Sequence, residues 1–215
     1  MSVRSRPTWS DYRNSIGDRS ELFHAINKAW APTRALYLGS YVDLSPSVAL
    51  PAVTYVDTDR RAARFFADRE LVARELRETR RPGEDELAGE SVTFLHADFS
   101  EPLGLEPATF DLLISLYTGP VWDRAAEYLQ PGGLFLANNS HGDASLAALD
   151  ERLDLIAVVT ARGDRYRLHS DDLHSHLLPK NPERFNVDVV RSSGRGVAFT
   201  RMAFAYVFRY SPELP

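Results

Sequence analysis

Apolar residues along this chain fall into two kinds of run, and their alternation sets the first expectation. Ala35-Leu36-Tyr37-Leu38, Ala52-Val53-Thr54-Tyr55-Val56, Ser91 to Ala97, Phe110 to Leu116, Leu134 to Ala137 and Leu153 to Thr160 read as strands, the first two and Phe110 to Leu116 with the apolar content of buried ones. Between them the spacing turns helical. Leu22, Phe23, Ile26, Ala29 and Trp30 share one face of a helix within Trp9 to Trp30 that Pro32 ends. Ala62, Phe65, Phe66, Val72, Ala73 and Leu76 do the same from the Thr58-Asp59 cap to about Arg80. Shorter helices are expected over Trp122 to Leu129, before Pro131-Gly132-Gly133, and over Ala144 to Leu149. Arg81-Pro82-Gly83 with Glu84, Asp85 and Glu86 reads as a surface loop.

Strands alternating with helices predict a mainly parallel sheet joined by right-handed crossovers. The tail breaks the alternation. Arg165 to His169, Phe185 to Arg191 and Gly196 to Tyr210 read as extended, with a hairpin-prone Ser192 to Gly196 between the last two. A long strand following a strand implies that the final run is antiparallel to its neighbours.

Gly39 and Asp57 stand 18 residues apart, close to the ~20 that separates a nucleotide-binding turn from the acid at the tip of the next strand. An acid in that place can accept both hydroxyls of a ribose.

Composition narrows the rest. At 215 residues the chain suits one α/β domain, Arg34 to Pro215, preceded by a helical cap over residues 1–33. It has no cysteine, which excludes disulfides, thiolate metal sites and a cysteine nucleophile. A net charge of −5 disfavours nucleic acid as a partner. The arginine bias, with only Lys28 and Lys180 as lysines, decides nothing, because acids are interspersed with the arginines. No run reaches the roughly 18 apolar residues of a membrane span, and no hydrophobic signal segment follows Met1, so a soluble, cytoplasmic protein is expected.

The order of these elements resembles the class I S-adenosylmethionine-dependent methyltransferases. Four landmarks carry the resemblance: Leu36-Tyr37-Leu38-Gly39-Ser40, Tyr55-Val56-Asp57, His96-Ala97-Asp98-Phe99 and Leu129-Gln130-Pro131-Gly132-Gly133. It implies a doubly wound, mostly parallel seven-stranded sheet with an antiparallel C-terminal strand. It also implies S-adenosylmethionine as cofactor, with Gly39 and Ser40 beside its methionine part, Asp57 on the ribose, Asp98 and Phe99 at the adenine, and Ser115 lining the cleft. The first loop departs from the family pattern: where two or three glycines are usual, Gly39 is followed by Ser40-Tyr41-Val42-Asp43-Leu44-Ser45-Pro46-Ser47.

The densest polar stretch follows the expected fifth strand. Asn138, Asn139, Ser140, His141 and Asp143 face Ser115, Tyr117 and Thr118 from the end of the fourth. Buried amides must be hydrogen-bonded or cost roughly 1–3 kcal/mol, so such a run marks a candidate site. His141 could take a proton, with Asp143 orienting it, while Tyr117 and Asn139 orient a small-molecule acceptor that Tyr12, Phe23 or Trp30 could cover. Neutral side chains stand where metal-dependent relatives carry acids, so no metal is expected. The cluster His169, Ser170, Asp171, Asp172, His174 and His176 reads as a helix cap with solvent-facing histidines. The function expected is methyl transfer to an oxygen or nitrogen of a small molecule. A non-catalytic module of the same fold, or another enzyme using the same cofactor or modifying nucleic acid, are the alternatives.

Overall fold

The protein is seen in a computed structural model that describes residues 7–79 and 88–212. Residues 81–86, expected as a surface loop, lie outside the described residues. Eight strands form one sheet: β1 (Arg34–Leu38), β2 (Ala52–Asp57), β3 (Ser91–His96), β4 (Phe110–Ser115), β5 (Leu129–Ala137), β6 (Leu153–Arg162), β7 (Arg165–His169) and β8 (Ala205–Tyr210). Their spatial order is β3-β2-β1-β4-β5-β8-β6-β7. The first five run parallel in doubly wound order. β8 lies antiparallel between β5 and β6, which leaves β6 parallel to the first five. β7 turns back along the outer edge of β6, so the sheet has eight strands where seven were expected.

Side chains alternate across the sheet because successive residues of a strand point to opposite faces. Ala35, Tyr37, Val53, Tyr55, Leu112 and Ile114 go to one core, with Phe23 and Ile26 of α2 (Ser20–Trp30) and Phe65 of α3 (Arg60–Ala67). Leu36, Leu38, Val56, Leu113, Phe135 and Phe208 go to the other, under Trp122 of α5 (Trp122–Ala125) and Ala144 of α6 (Asp143–Ala147).

Several elements differ from their expected form, each for a local reason. The first helix is two, α1 (Trp9–Ile16) and α2, because Gly17 ends α1 at φ +89°. The helix after β2 is also two, since Asp68 leaves helical geometry and its carboxylate accepts the Leu71 N–H at the start of α4 (Arg69–Thr79). β5 begins five residues early and absorbs Pro131-Gly132-Gly133 in a bulge, with Phe110 opposite Leu129 and Leu112 opposite Leu134. Phe185 to Arg191 is not extended. Asn186 caps Val189 N–H and Gly194 closes the other end at φ +59°, which makes α8 (Val187–Ser193) a helix. The last strand starts only at Ala205, since the chain before it is fastened piecemeal: Val197 N–H to Ser145 Oγ, Thr200 N–H to Leu178 O, and Phe204 N–H to Val159 O. α7 (Leu173–Leu177) follows β7, and its His176 is buried, with Nδ1 3.0 Å from Arg201 O, rather than facing solvent. Among the described residues no helix is long and apolar enough to cross a membrane.

Candidate functional site

The sheet order changes direction at β1, and there a crevice is expected between the carboxyl ends of β1 and its neighbours. The turn leaving β1 is tight. Gly39 takes φ +63° and gives its N–H to Val56 O at 2.8 Å, which folds the chain over the end of β2. Tyr41 also takes a positive φ, +46°, a conformation that costs a tyrosine what a glycine would not pay.

Asp57, half-buried at the tip of β2, is held from both sides. Oδ2 accepts the Tyr41 N–H and Oδ1 the Asp59 N–H, each at 2.7 Å. The carboxylate thus has one fixed orientation, with a second lone pair left on each oxygen. The Tyr41 ring meets Tyr12 of α1 edge to face at 5.0 Å, and Arg61 of α3 lies over it at 5.2 Å. On β3 His96 pairs in register with Asp57, and its Nε2 lies 2.9 Å from Thr58 O. Asp98, two residues on, is exposed. Its Oδ1 accepts the Ser100 N–H at 2.9 Å, which holds its carboxyl below the usual range. Phe99 beside it is half-buried against the second core.

At the tips of β4 and β5 the arrangement is closed. Thr118 Oγ1 donates to Leu38 O at 2.9 Å and lies so near the turn that a Cβ on Gly39 would come within 2.4 Å of it. Glycine is required there by contact as well as by φ. Ser40 is buried. Ser115 donates to Asp143 Oδ2, while Val121 N–H reaches Asp143 Oδ1 at 2.9 Å. Burial pushes the Asp143 carboxyl up to about 7. Asp143 therefore ties β4 to α5 and does not orient His141, which is exposed and has no hydrogen bond among the described residues.

Asn139 is likewise committed. Its Nδ2 donates to Val197 O at 2.8 Å, and its Oδ1 accepts from Ser145 N and Oγ at 3.0 and 2.8 Å. It fixes the loop to the C-terminal segment, with its carbonyl oxygen accepting twice and one of its two amide N–H groups spent. Asn138 Oδ1 accepts the Tyr117 N–H at 3.2 Å and the Ser140 Oγ–H at 2.9 Å. Tyr117 itself stands out: φ +61°, about half exposed at 51%, its ring over the Arg19 guanidinium at 5.0 Å. Phe23, a candidate cover, is instead fully enclosed in the core. Among the described residues no group of three or more histidine or acidic side chains converges as a metal site would.

One polar centre went unforeseen. Arg19, at the start of α2, is buried, and its Nη1 donates to Asp43 Oδ2 at 3.1 Å and Tyr37 OH at 3.3 Å. Asp43 also accepts Tyr37 OH at 3.1 Å and, on Oδ1, both Ser45 N–H and Oγ–H, so each oxygen has two donors. Asp43, Ser45 and Ser47 are what the glycine-poor loop contains in place of a long helix, and the loop runs buried through a short 3-10 turn, Ser45–Val48. The signal was Tyr37: a tyrosine in a buried strand needs a partner for its hydroxyl.

No protein-family model matches the chain, and no curated protein matches it. Solved structures do. An O-methyltransferase from Bacillus cereus, in complex with S-adenosylhomocysteine, is 11% identical, with 78% of this chain and 90% of that one covered at TM-score 0.49. A methyltransferase from Geobacter sulfurreducens is 17% identical, with 74% and 84% covered at 0.48. A 4+2 cyclase, SpnF, is 19% identical, with 63% and 48% covered at 0.42. The fold assignment rests on the strand order itself: six parallel strands with an antiparallel one set between the fifth and sixth is the class I methyltransferase arrangement, here extended by one edge strand.

Proposed function

We propose that the chain binds S-adenosylmethionine across the tips of β1, β2 and β3 and transfers its methyl group to an oxygen or nitrogen of a small molecule held beside β4 and β5. The observation that carries this is Asp57. It stands at the tip of β2, one strand from the switch point of the sheet, fixed by two backbone N–H groups next to the Gly39 turn, and each oxygen can still accept a ribose hydroxyl. Asp98, exposed and ionised, suits the adenine amino group. When bound, the cofactor supplies an electrophilic methyl group, so the protein's own task is positioning, and few side chains need be obligatory. His141, exposed and without a hydrogen bond among the described residues, is the group that would accept a proton from the acceptor.

Asp57 and Asp98 both keep acceptor capacity for the adenosine half of the cofactor, which supports the reading. The methionine half fits only if Thr118 withdraws from Gly39 and frees the Leu38 carbonyl. That contact favours a second reading, a non-catalytic module in which the chain's own residues fill the cleft. Calorimetry with S-adenosylhomocysteine separates the two. The enzyme reading expects binding that Asp57→Ala weakens about tenfold or more and Thr118→Gly strengthens. Absence of heat with the wild type and with Thr118→Gly alike would leave the module.

A further inference from the structure

Arg19 is placed like a ligand-binding arginine. A guanidinium carries five N–H donors in a planar fork. Here Asp43 and Tyr37 take only Nη1, end-on, and Asp43 is already saturated by Ser45 and Tyr37. Nε and Nη2, the edge that matches a carboxylate side-on, have no partner among the described residues. Neither atom is among the described side-chain atoms that are sealed from solvent without a hydrogen bond. A side chain only 5% exposed thus keeps its best recognition edge unspent.

The surroundings are aromatic. Tyr117 covers the guanidinium face, and Phe204 touches both Tyr117, at 6.2 Å, and Tyr166 of β7, at 5.0 Å. On the other side Tyr12 and Tyr41 stand edge to face. The phenols of Tyr12 and Tyr166 both lie within electrostatic reach of Arg19. Tyr117 is the outermost part of this rim, half exposed and on a strained backbone.

We infer that the Arg19 edge and its aromatic rim bind the carboxylate of a small aromatic acid, and that such an acid is the methyl acceptor. The second clause rests on the methyltransferase reading; the first does not. A carboxylate suits the site better than a phosphate dianion. Only one guanidinium edge is offered, Asp43 lies directly behind it, and the other arginine on this rim, Arg61, is spent on Asp59. An aromatic body suits it because Tyr117, Tyr166 and Phe204 offer ring faces and edges at stacking distances.

The test uses the full chain and four probes: benzoate and 4-hydroxybenzoate against benzamide and methyl 4-hydroxybenzoate, titrated by calorimetry or ligand-detected NMR. The acids should bind at least about tenfold more tightly than their neutral counterparts. Arg19→Lys keeps a cation for Asp43 but has no fork, and should abolish that preference while the protein stays folded by thermal melt. Tyr117→Ala, which leaves the Arg19–Asp43 pair intact, should weaken all four probes. Equal binding of acids and neutral analogues, no binding of either, or a preference that survives Arg19→Lys would overturn the inference. A parallel titration with S-adenosylhomocysteine keeps the two proposals apart. Acid binding without cofactor binding leaves the Arg19 site standing and removes the acceptor role. Cofactor binding without acid binding overturns the inference in both clauses and leaves the methyltransferase reading standing.

Discussion

The two flanks of the β1 turn are both rich in polar side chains and use them differently. At the tips of β2 and β3, Asp57, Asp59 and Asp98 bond to backbone N–H groups mostly two residues away and stay half-buried or exposed. At the tips of β4 and β5, Ser115, Thr118 and Asn139 are tied to groups 28, 80 and 58 residues away. Local bonds shape a turn and leave its acceptors reachable. Long-range buried bonds hold separate segments together, and they use up the polar groups that chemistry would need. The first flank is therefore suited to a ligand and the second to cohesion, although in the sequence the second has the denser polar run.

Substitutions on the cohesive flank, and in the buried Arg19–Asp43 pair, should cost the most. Arg19→Ala strands the Asp43 carboxylate inside the protein, and urea unfolding should show a loss of about 3–5 kcal/mol. Arg19→Lys should recover much of it. Asn139→Ala leaves the Val197 carbonyl and the Ser145 groups short of partners, for an expected loss of about 1–3 kcal/mol.

Asp143 sharpens the comparison through pH. Its folded carboxyl sits near 7 against an ordinary 3.8, because burial disfavours the charge. Between about pH 4 and 7 the folded chain therefore keeps a proton that the unfolded chain has released, and this group's contribution makes stability fall as pH rises through that window and level off above it. Asp143→Asn can still accept from Val121 and bond to Ser115, so its unfolding free energy should gain on the wild type from pH 4 to pH 8. A constant difference across that range would show the carboxyl to be unshifted.

The smallest effect belongs to the open flank. Asp98→Ala removes one exposed turn bond and should change stability by less than about 1 kcal/mol. The same variant should still lower affinity for S-adenosylhomocysteine, and that contrast separates a ligand-binding acid from a structural one.

Most of the sheet was legible because buried parallel strands leave apolar runs, as at β1, β2 and β4, while β3, at the sheet edge, showed itself by alternation. α8 was misread as extended because Phe185 to Arg191 alternates like a strand, while the Asn186 and Gly194 caps that decide the matter are single residues at its ends. The polar run after β5 looked like chemistry because sequence shows density and not destination. Nothing local says that Asn139 will reach Val197 or that Asp143 will choose Ser115 over His141. Arg19 was hidden for the same reason, its partners lying 18 and 24 residues on.

The place of β8 also bears on how the molecule assembles. β6 and β7 can pair with each other as soon as both are made, but among the described residues no strand pairing joins that hairpin to β1–β5 until the strand synthesised after them slides between β5 and β6. On a ribosome the growing chain would thus carry two unjoined sheet fragments with bare edges, and their closure waits for the final strand to emerge.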